Sequence, residues 1–191
     1  MKKIKKAIWW DPYNAEYHYK LGRELIRIRQ SNWTILRDYE KKTNHLESIK
    51  AHGEAVRLNP FKTEYHLRLG WEYTYVWQEP DYHTKWLPAA DMSIERAAYF
   101  AGEAMPFFHE NIGNYWVMRS KTMTPADPKW APAWTKACWH YKKAQEIDGN
   151  NRMLKEIIKN IWIHYPDRTF ALQAILPPFL PQVEKIVKEM K

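Results

Sequence analysis

Residues 7–22 read AIWWDPYNAEYHYKLG and residues 55–70 read AVRLNPFKTEYHLRLG, so the chain writes nearly the same sixteen residues twice, 48 positions apart. Identical in the two copies are Ala7/Ala55, Pro12/Pro60, Glu16/Glu64, Tyr17/Tyr65, His18/His66, Leu21/Leu69 and Gly22/Gly70. Self-similarity at a period of a few tens of residues is the mark of stacked units, none of which buries its apolar face alone. In both copies an apolar stretch runs into Asp-Pro or Asn-Pro. Proline cannot continue a helix but suits the start of the next one, so Pro12 and Pro60 predict helix-to-helix turns. After Pro60, Tyr65, Leu69 and Tyr73 recur at helical spacing. Gly22 and Gly70 fall inside these helices, where glycine costs about 1 kcal/mol against alanine. Its recurrence predicts a neighbouring helix at close approach.

Few glycines and few β-branched runs argue against an all-β fold. The chain has 6 Gly among 191 residues, against 11 Trp and 12 Tyr, so large aromatics with polar edges must form either core or partner surface. The formal charge is +8, yet Lys and Arg are spread along the chain apart from the cluster Lys2, Lys3, Lys5 and Lys6. That pattern reads as a solvated surface rather than a nucleic-acid footprint. A single cysteine, Cys138, rules out an internal disulfide and a cysteine-rich metal site. No apolar stretch follows the basic opening as in a signal peptide, and no run approaches the roughly 18 apolar residues of a membrane span. A cytoplasmic setting is favoured over a periplasmic or membrane-associated one.

These residues resemble the tetratricopeptide repeat, a pair of antiparallel helices in about 34 residues. Leu21-Gly22 and Leu69-Gly70 match its first helix. Ala137-x3-Tyr141-x2-Ala144 matches its second, with Ala97-x3-Ala101-x2-Ala104 and Ser48-x3-His52-x2-Ala55 as looser versions. Ala7 to Pro12 and Ala55 to Pro60 keep the family's spacing of five to a closing proline, replaced in later copies by His109 and Gly149. His18 and His66 stand where the family has Trp, and Arg119 is matched weakly to the third glycine. The resemblance implies an all-α fold, a right-handed solenoid of helix hairpins with three to four repeats and a C-terminal capping helix. It implies one domain over 1–191, with regions at 7–60, 61–109, 110–149 and 150–191.

The residues between the two helices of each unit exceed the family's spacing. The first insert, IRIRQSNWTILRDYEKK, lacks Pro and Gly and reads as about two extra turns on each helix. The second, VWQEPDYHTKWLPAAD, carries Pro80 and Pro88 and reads as a loop pinned by Tyr82 and Trp86. The third, TMTPADPKWAPAW, has Pro125, Pro128 and Pro132, which favour extended backbone. At the far end Val183, Ile186, Val187 and Met190 mark an amphipathic closing helix starting near Pro181.

No His-Glu-x-x-His, Gly-rich phosphate loop, Cys-x-x-Cys or Gly-x-Ser-x-Gly motif is written. Cys138 reads as a packed thiol. The expectation is a non-catalytic protein that needs no cofactor or metal. In the family, first-helix residues line a concave side that binds peptide segments or whole proteins. Carried over, the lining is Tyr19, Arg23, Ile26, Arg27, Leu67, Trp71, Thr74, Tyr75 and, more weakly, Trp116. The implied function is a scaffold or adaptor that assembles a larger complex through an aromatic-rich helical surface. Its partner would be a folded protein or an extended peptide, with self-association left open and nucleic acid disfavoured. The alternative is a soluble accessory domain of a membrane glycan-processing enzyme.

Overall fold

A computed structural model describes residues 1–77, 83–102, 105–124 and 126–149. Among them are seven helices and no strand: α1 (Lys2–Trp10), α2 (Ala15–Ser31), α3 (Asp38–Leu58), α4 (Thr63–Trp77), α5 (His83–Ala101), α6 (Pro106–Lys121) and α7 (Trp130–Ile147). The described residues are all-helical, as the sequence implies. Met1–Phe100 packs as one compact unit, and a second begins at Ala101.

Local chemistry fixes the helix ends. Asn14 Oδ1 accepts the Glu16 N–H at 3.1 Å and opens α2. Glu40 reaches back to the Arg37 N–H at 2.9 Å and opens α3. Pro106 occupies the first turn of α6, where its missing N–H costs nothing. Gly102, at φ +58°, supplies the left-handed residue that stops α5.

Consecutive helices of the first unit pack antiparallel. Tyr19 and Gly22 of α2 meet His52 and Ser48 of α3, so early residues face late ones. Ala55 and Ile49 of α3 pack against Tyr65 and Leu69 of α4. Gly70 and Tyr73 of α4 face Ile94 and Trp86 of α5, the Tyr73 and Trp86 rings stacking at 5.1 Å. The first helices α2 and α4 lie side by side and parallel, joined at one end by Glu16–Tyr65 and at the other by Arg29–Glu72. In the second unit His109 and Trp116 of α6 meet His140 and Lys136 of α7, again antiparallel.

The predicted close approach of helices at glycine is present, and it occurs three times. A Cβ on Gly22 would enter the His52 ring; on Gly70 it would lie 2.7 Å from Ile94 Cδ1, and on Gly113 2.6 Å from Tyr141 Cε1. His52, Ile94 and Tyr141 each sit in a small-x3-large-x2-Ala triplet: Ser48, His52, Ala55; Ala90, Ile94, Ala97; Ala137, Tyr141, Ala144. All nine side chains are fully buried.

The sequence register of the later copies is corrected accordingly. In α5 the alanines at 90 and 97 repeat the spacing of those at 97 and 104, so the pattern fits two frames two turns apart. The frame that meets the neighbouring helix is the earlier one, because Ile94 rather than Ala101 lies against Gly70. The third glycine is Gly113, not Arg119, and the closing position after Ala97 is Gly102, not His109. His109 lies inside α6 and repeats His18 and His66: each stands four residues before its glycine in a His-x2-aliphatic-Gly string. Each also donates its Nε2–H to a carbonyl of the preceding turn, Pro12 at 2.8 Å, Pro60 at 2.7 Å and Gly102 at 2.8 Å.

The inserts divide. The first agrees with long helices: α2 has 17 residues and α3 has 21. The second is largely helix rather than loop, since α5 starts at His83 and carries Trp86 and Pro88 within it. The third becomes helix at Trp130, placing Pro132 in the first turn of α7, where a missing N–H is tolerated. Tyr82 and the closing helix from Pro181 lie outside the described residues.

Candidate partner-binding surface

The parallel helices α2 and α4 carry eight of the nine residues expected to line a partner surface. Their contact is built on crossed hydrogen bonds to the repeated glutamates, Glu16 and Glu64. Tyr65 donates its hydroxyl to Glu16 Oε2 at 2.9 Å, and Tyr19 donates to Glu64. The two phenol rings pack with centroids 4.8 Å apart. Burial first, and then the Glu64 carboxylate at its hydroxyl, push the Tyr19 phenol up to about 12.

This packing takes several expected surface residues into the interior. Tyr19, Ile26, Leu67 and Thr74 are buried, the last with its hydroxyl on the Trp71 carbonyl at 2.7 Å. Trp71 is half-buried. Trp116 is buried in the second unit beneath Lys136, whose ammonium lies 4.2 Å from the ring centroid. Arg23, Arg27 and Tyr75 remain exposed.

Arg23, Ile26 and Arg27 come together with Lys20, Gln30 and Arg68 around a groove of about 410 Å³. Glu24 is its one carboxylate, and it is engaged: Arg27 grips it through Nε at 2.9 Å and an Nη at 2.7 Å. That grip holds the Glu24 carboxyl below the usual carboxylate range. Lys20 pairs with Glu16 at 3.5 Å. The Arg23 guanidinium lies 5.7 Å from the Tyr19 ring centroid. Among the described residues, neither Arg23 nor Arg68 forms an ion pair; burial first, and then the Arg68 and Arg23 charges, lower the His52 imidazole to about 3. Sequence reasoning missed Arg68 and Lys20; the signal was one helical turn, since Lys20, Arg23 and Arg27 recur at spacings of three and four on α2.

Tyr75 belongs to a different cavity, of about 450 Å³, shared with Trp33, Tyr39, Lys41 and His45 at the long end of the helices. Its ring faces the Arg29 guanidinium at 5.0 Å. Beneath it runs a closed polar chain. Arg29 and Glu72 pair at 3.4 Å with both side chains almost wholly buried. Ser48 donates to Glu72 at 3.0 Å and lies 3.3 Å from His52 Nδ1. Burial holds the Glu72 carboxyl above its ordinary range against the pull of Arg29. Ser48 and His52 together with a carboxylate name the parts of a hydrolytic triad. Here, however, serine sits between the other two, and all three are sealed from solvent. Their role is to join helices.

His45 and His52 do not combine: His45 donates to the Glu72 backbone carbonyl at 2.8 Å, and His52 lies under Gly22. Cys138 is fully buried, and burial pushes its thiol up to about 12. Among the described residues no three His, Cys, Asp or Glu side chains gather to hold a metal, and no helix is long and apolar enough to cross a membrane. No protein-family model matches the chain, and no curated protein matches it.

Proposed function

We propose that this protein is a scaffold of tetratricopeptide type, a series of helix pairs that docks a protein partner without doing chemistry on it. The antiparallel pairs, the parallel first helices and the glycine joints that recur in three copies support that reading. The observation that carries it is the α2–α4 groove, where Arg23 and Arg68 are held on rigid helices without ion-pair partners. Arginine is among the residue types enriched in interface hot spots. The surface offered is smaller than the sequence implied: Arg23, Arg27 and Arg68 in the groove, and Tyr75 with Trp33 at the long end.

Affinity purification from the native host with wild-type protein and with an Arg23→Glu, Arg68→Glu variant tests the proposal. Both positions are at least partly solvent-facing, so the variant keeps its helices by circular dichroism. A protein recovered in stoichiometric amount with the wild type should be lost with the variant. A strictly monomeric protein that retains no partner, or one whose partner is held equally by the variant, refutes this surface.

A further inference from the structure

Helix α1 is the one helix of the first unit with no buried residue. Its sequence, KKIKKAIWW, divides by face. Ile4 and Ile8 stand one turn apart and are half-buried with Ala7 toward the rest of the unit. Helical geometry then places Trp9, Lys2 and Lys6 on the opposite side, flanked by Trp10, Lys3 and Lys5. Trp9 is 74% exposed and Trp10 70%, and Tyr13 in the following turn is 78% exposed. The two indoles meet edge to face at 4.8 Å and project together. The four lysines form no ion pair among the described residues. The groove of about 410 Å³ takes Ile4 from α1 and a cavity of about 520 Å³ takes Lys5, while neither takes Trp9 or Trp10.

We infer that the outer face of α1 is a peripheral docking site for an anionic lipid surface. Two features select this occupant over a peptide or a folded acidic protein. Both indoles are at least 70% exposed and neither lines the two cavities beside α1, which suits a plane rather than a pocket. The face also sets lysines along the first turns and tryptophans in the last turn of one short helix, so ammonium groups can meet lipid phosphates and carboxylates while indoles settle at the headgroup boundary. Indole suits that depth because its body is apolar and its N–H is still wet. The attachment is peripheral and reversible, and it is independent of the arginine groove.

Flotation of the full chain with two kinds of vesicle tests this, one of phosphatidylcholine alone and one in which a third of the lipid is phosphatidylserine. The chain should float with the second and not the first. Each lysine converted to glutamine should weaken partitioning about fivefold at low salt. Raising salt should release the protein, because exposed charges are screened beyond about 8 Å at physiological ionic strength. A Trp9→Ser, Trp10→Ser variant should lose the binding that survives moderate salt. Since these side chains are exposed, the variants should match wild type by circular dichroism. Failure to float with phosphatidylserine vesicles overturns the inference, as does equal flotation of the lysine and tryptophan variants. So does a chain that binds an oligonucleotide through these lysines, or dimerises through these indoles by light scattering, but leaves vesicles alone.

Discussion

Tyr65 donates its hydroxyl to Glu16 at 2.9 Å on the neighbouring helix, while Tyr19 donates in the other direction to Glu64. Glu16 and Glu64 are equivalent positions of the repeated stretch, but the donors are not: Tyr65 corresponds to Tyr17 and Tyr19 to Leu67, so the two bonds cross the same contact from different positions. Deleting the hydroxyl with Tyr65→Phe should cost about 1 kcal/mol, since the acceptor is charged but half exposed. In a double-mutant cycle with Glu16→Gln, the coupling should be of similar size and should vanish for a distant control such as Tyr99→Phe. Equal, additive losses measured by urea unfolding would show that the bond contributes nothing.

The glycine joints predict a contrast among substitutions of one kind. Gly22→Ala and Gly113→Ala drive a methyl into the His52 and Tyr141 rings, which are fully buried and have no room to retreat. Each should destabilise its unit by about 1–3 kcal/mol, the usual cost of overpacking. Gly53, also inside a helix, has nothing within 4 Å of its would-be Cβ. Gly53→Ala should therefore stabilise by up to about 1 kcal/mol, the helix-propensity difference. If all three changes moved the unfolding midpoint the same way, close approach would not be the reason for the repeated glycine.

The same joints show how much of the molecule the sequence discloses. The doubled stretch reveals the helices, the turn between them and the glycine contact, because proline and glycine act through local backbone and the 48-residue period is unbroken. The third copy was harder to find. Its turn ends in Gly102 rather than proline, and one extra residue separates that turn from His109. In addition, the alanines of α5 fit two frames equally well. Only the contact at Gly70 distinguishes Ile94 from Ala101, since both are buried. The partner surface was less legible still. Counting positions along a helix predicts which face a residue shares, but not that Tyr19, Leu67 and Thr74 would be covered by the adjacent helix. The proline-bearing inserts read as loop, whereas Pro88 lies inside α5 and Pro132 in the first turn of α7.

Acid should destabilise the fold well before its surface carboxylates titrate. Burial holds the His52 and His140 imidazoles neutral, lowering each to about 3; Arg68 adds to the effect at His52, and His109 at His140. In the unfolded chain the same rings protonate near 6.5. Between those values the unfolded state binds more protons, so stability falls as pH falls, beginning near 6.5 and levelling near 3. Each ring should remove about 2 kcal/mol between pH 6.5 and 5. Burial lowers His66 in the same direction. Glu72 acts oppositely: its raised value means the folded state takes up that proton first on acidification, which offsets part of the loss. Urea unfolding at pH 7 and pH 5 should show the loss, and His52→Gln should flatten the slope. Unchanged stability across that window would mean the rings are not kept neutral by burial.

The Arg29–Glu72 pair makes the sharpest demand on partnership, because both charges are almost wholly out of water. Removing only Arg29 with Arg29→Met leaves Glu72 uncompensated, and this should cost about 3–5 kcal/mol at pH 7. The loss should shrink on acidification, since the orphaned carboxyl can then take a proton. Glu72→Leu alone strands Arg29 instead, and its loss should not shrink, because a guanidinium stays charged. The double variant removes both desolvation costs and leaves Ser48 its second acceptor, the Gly22 carbonyl at 3.4 Å. It should recover most of what either single change loses, as apolar replacements of buried ion pairs commonly do. Thermal and urea unfolding of the four proteins at pH 7 and pH 5 decide the matter. Losses that simply add in the double variant would mean that the two side chains contribute separately and that the pair is not a unit.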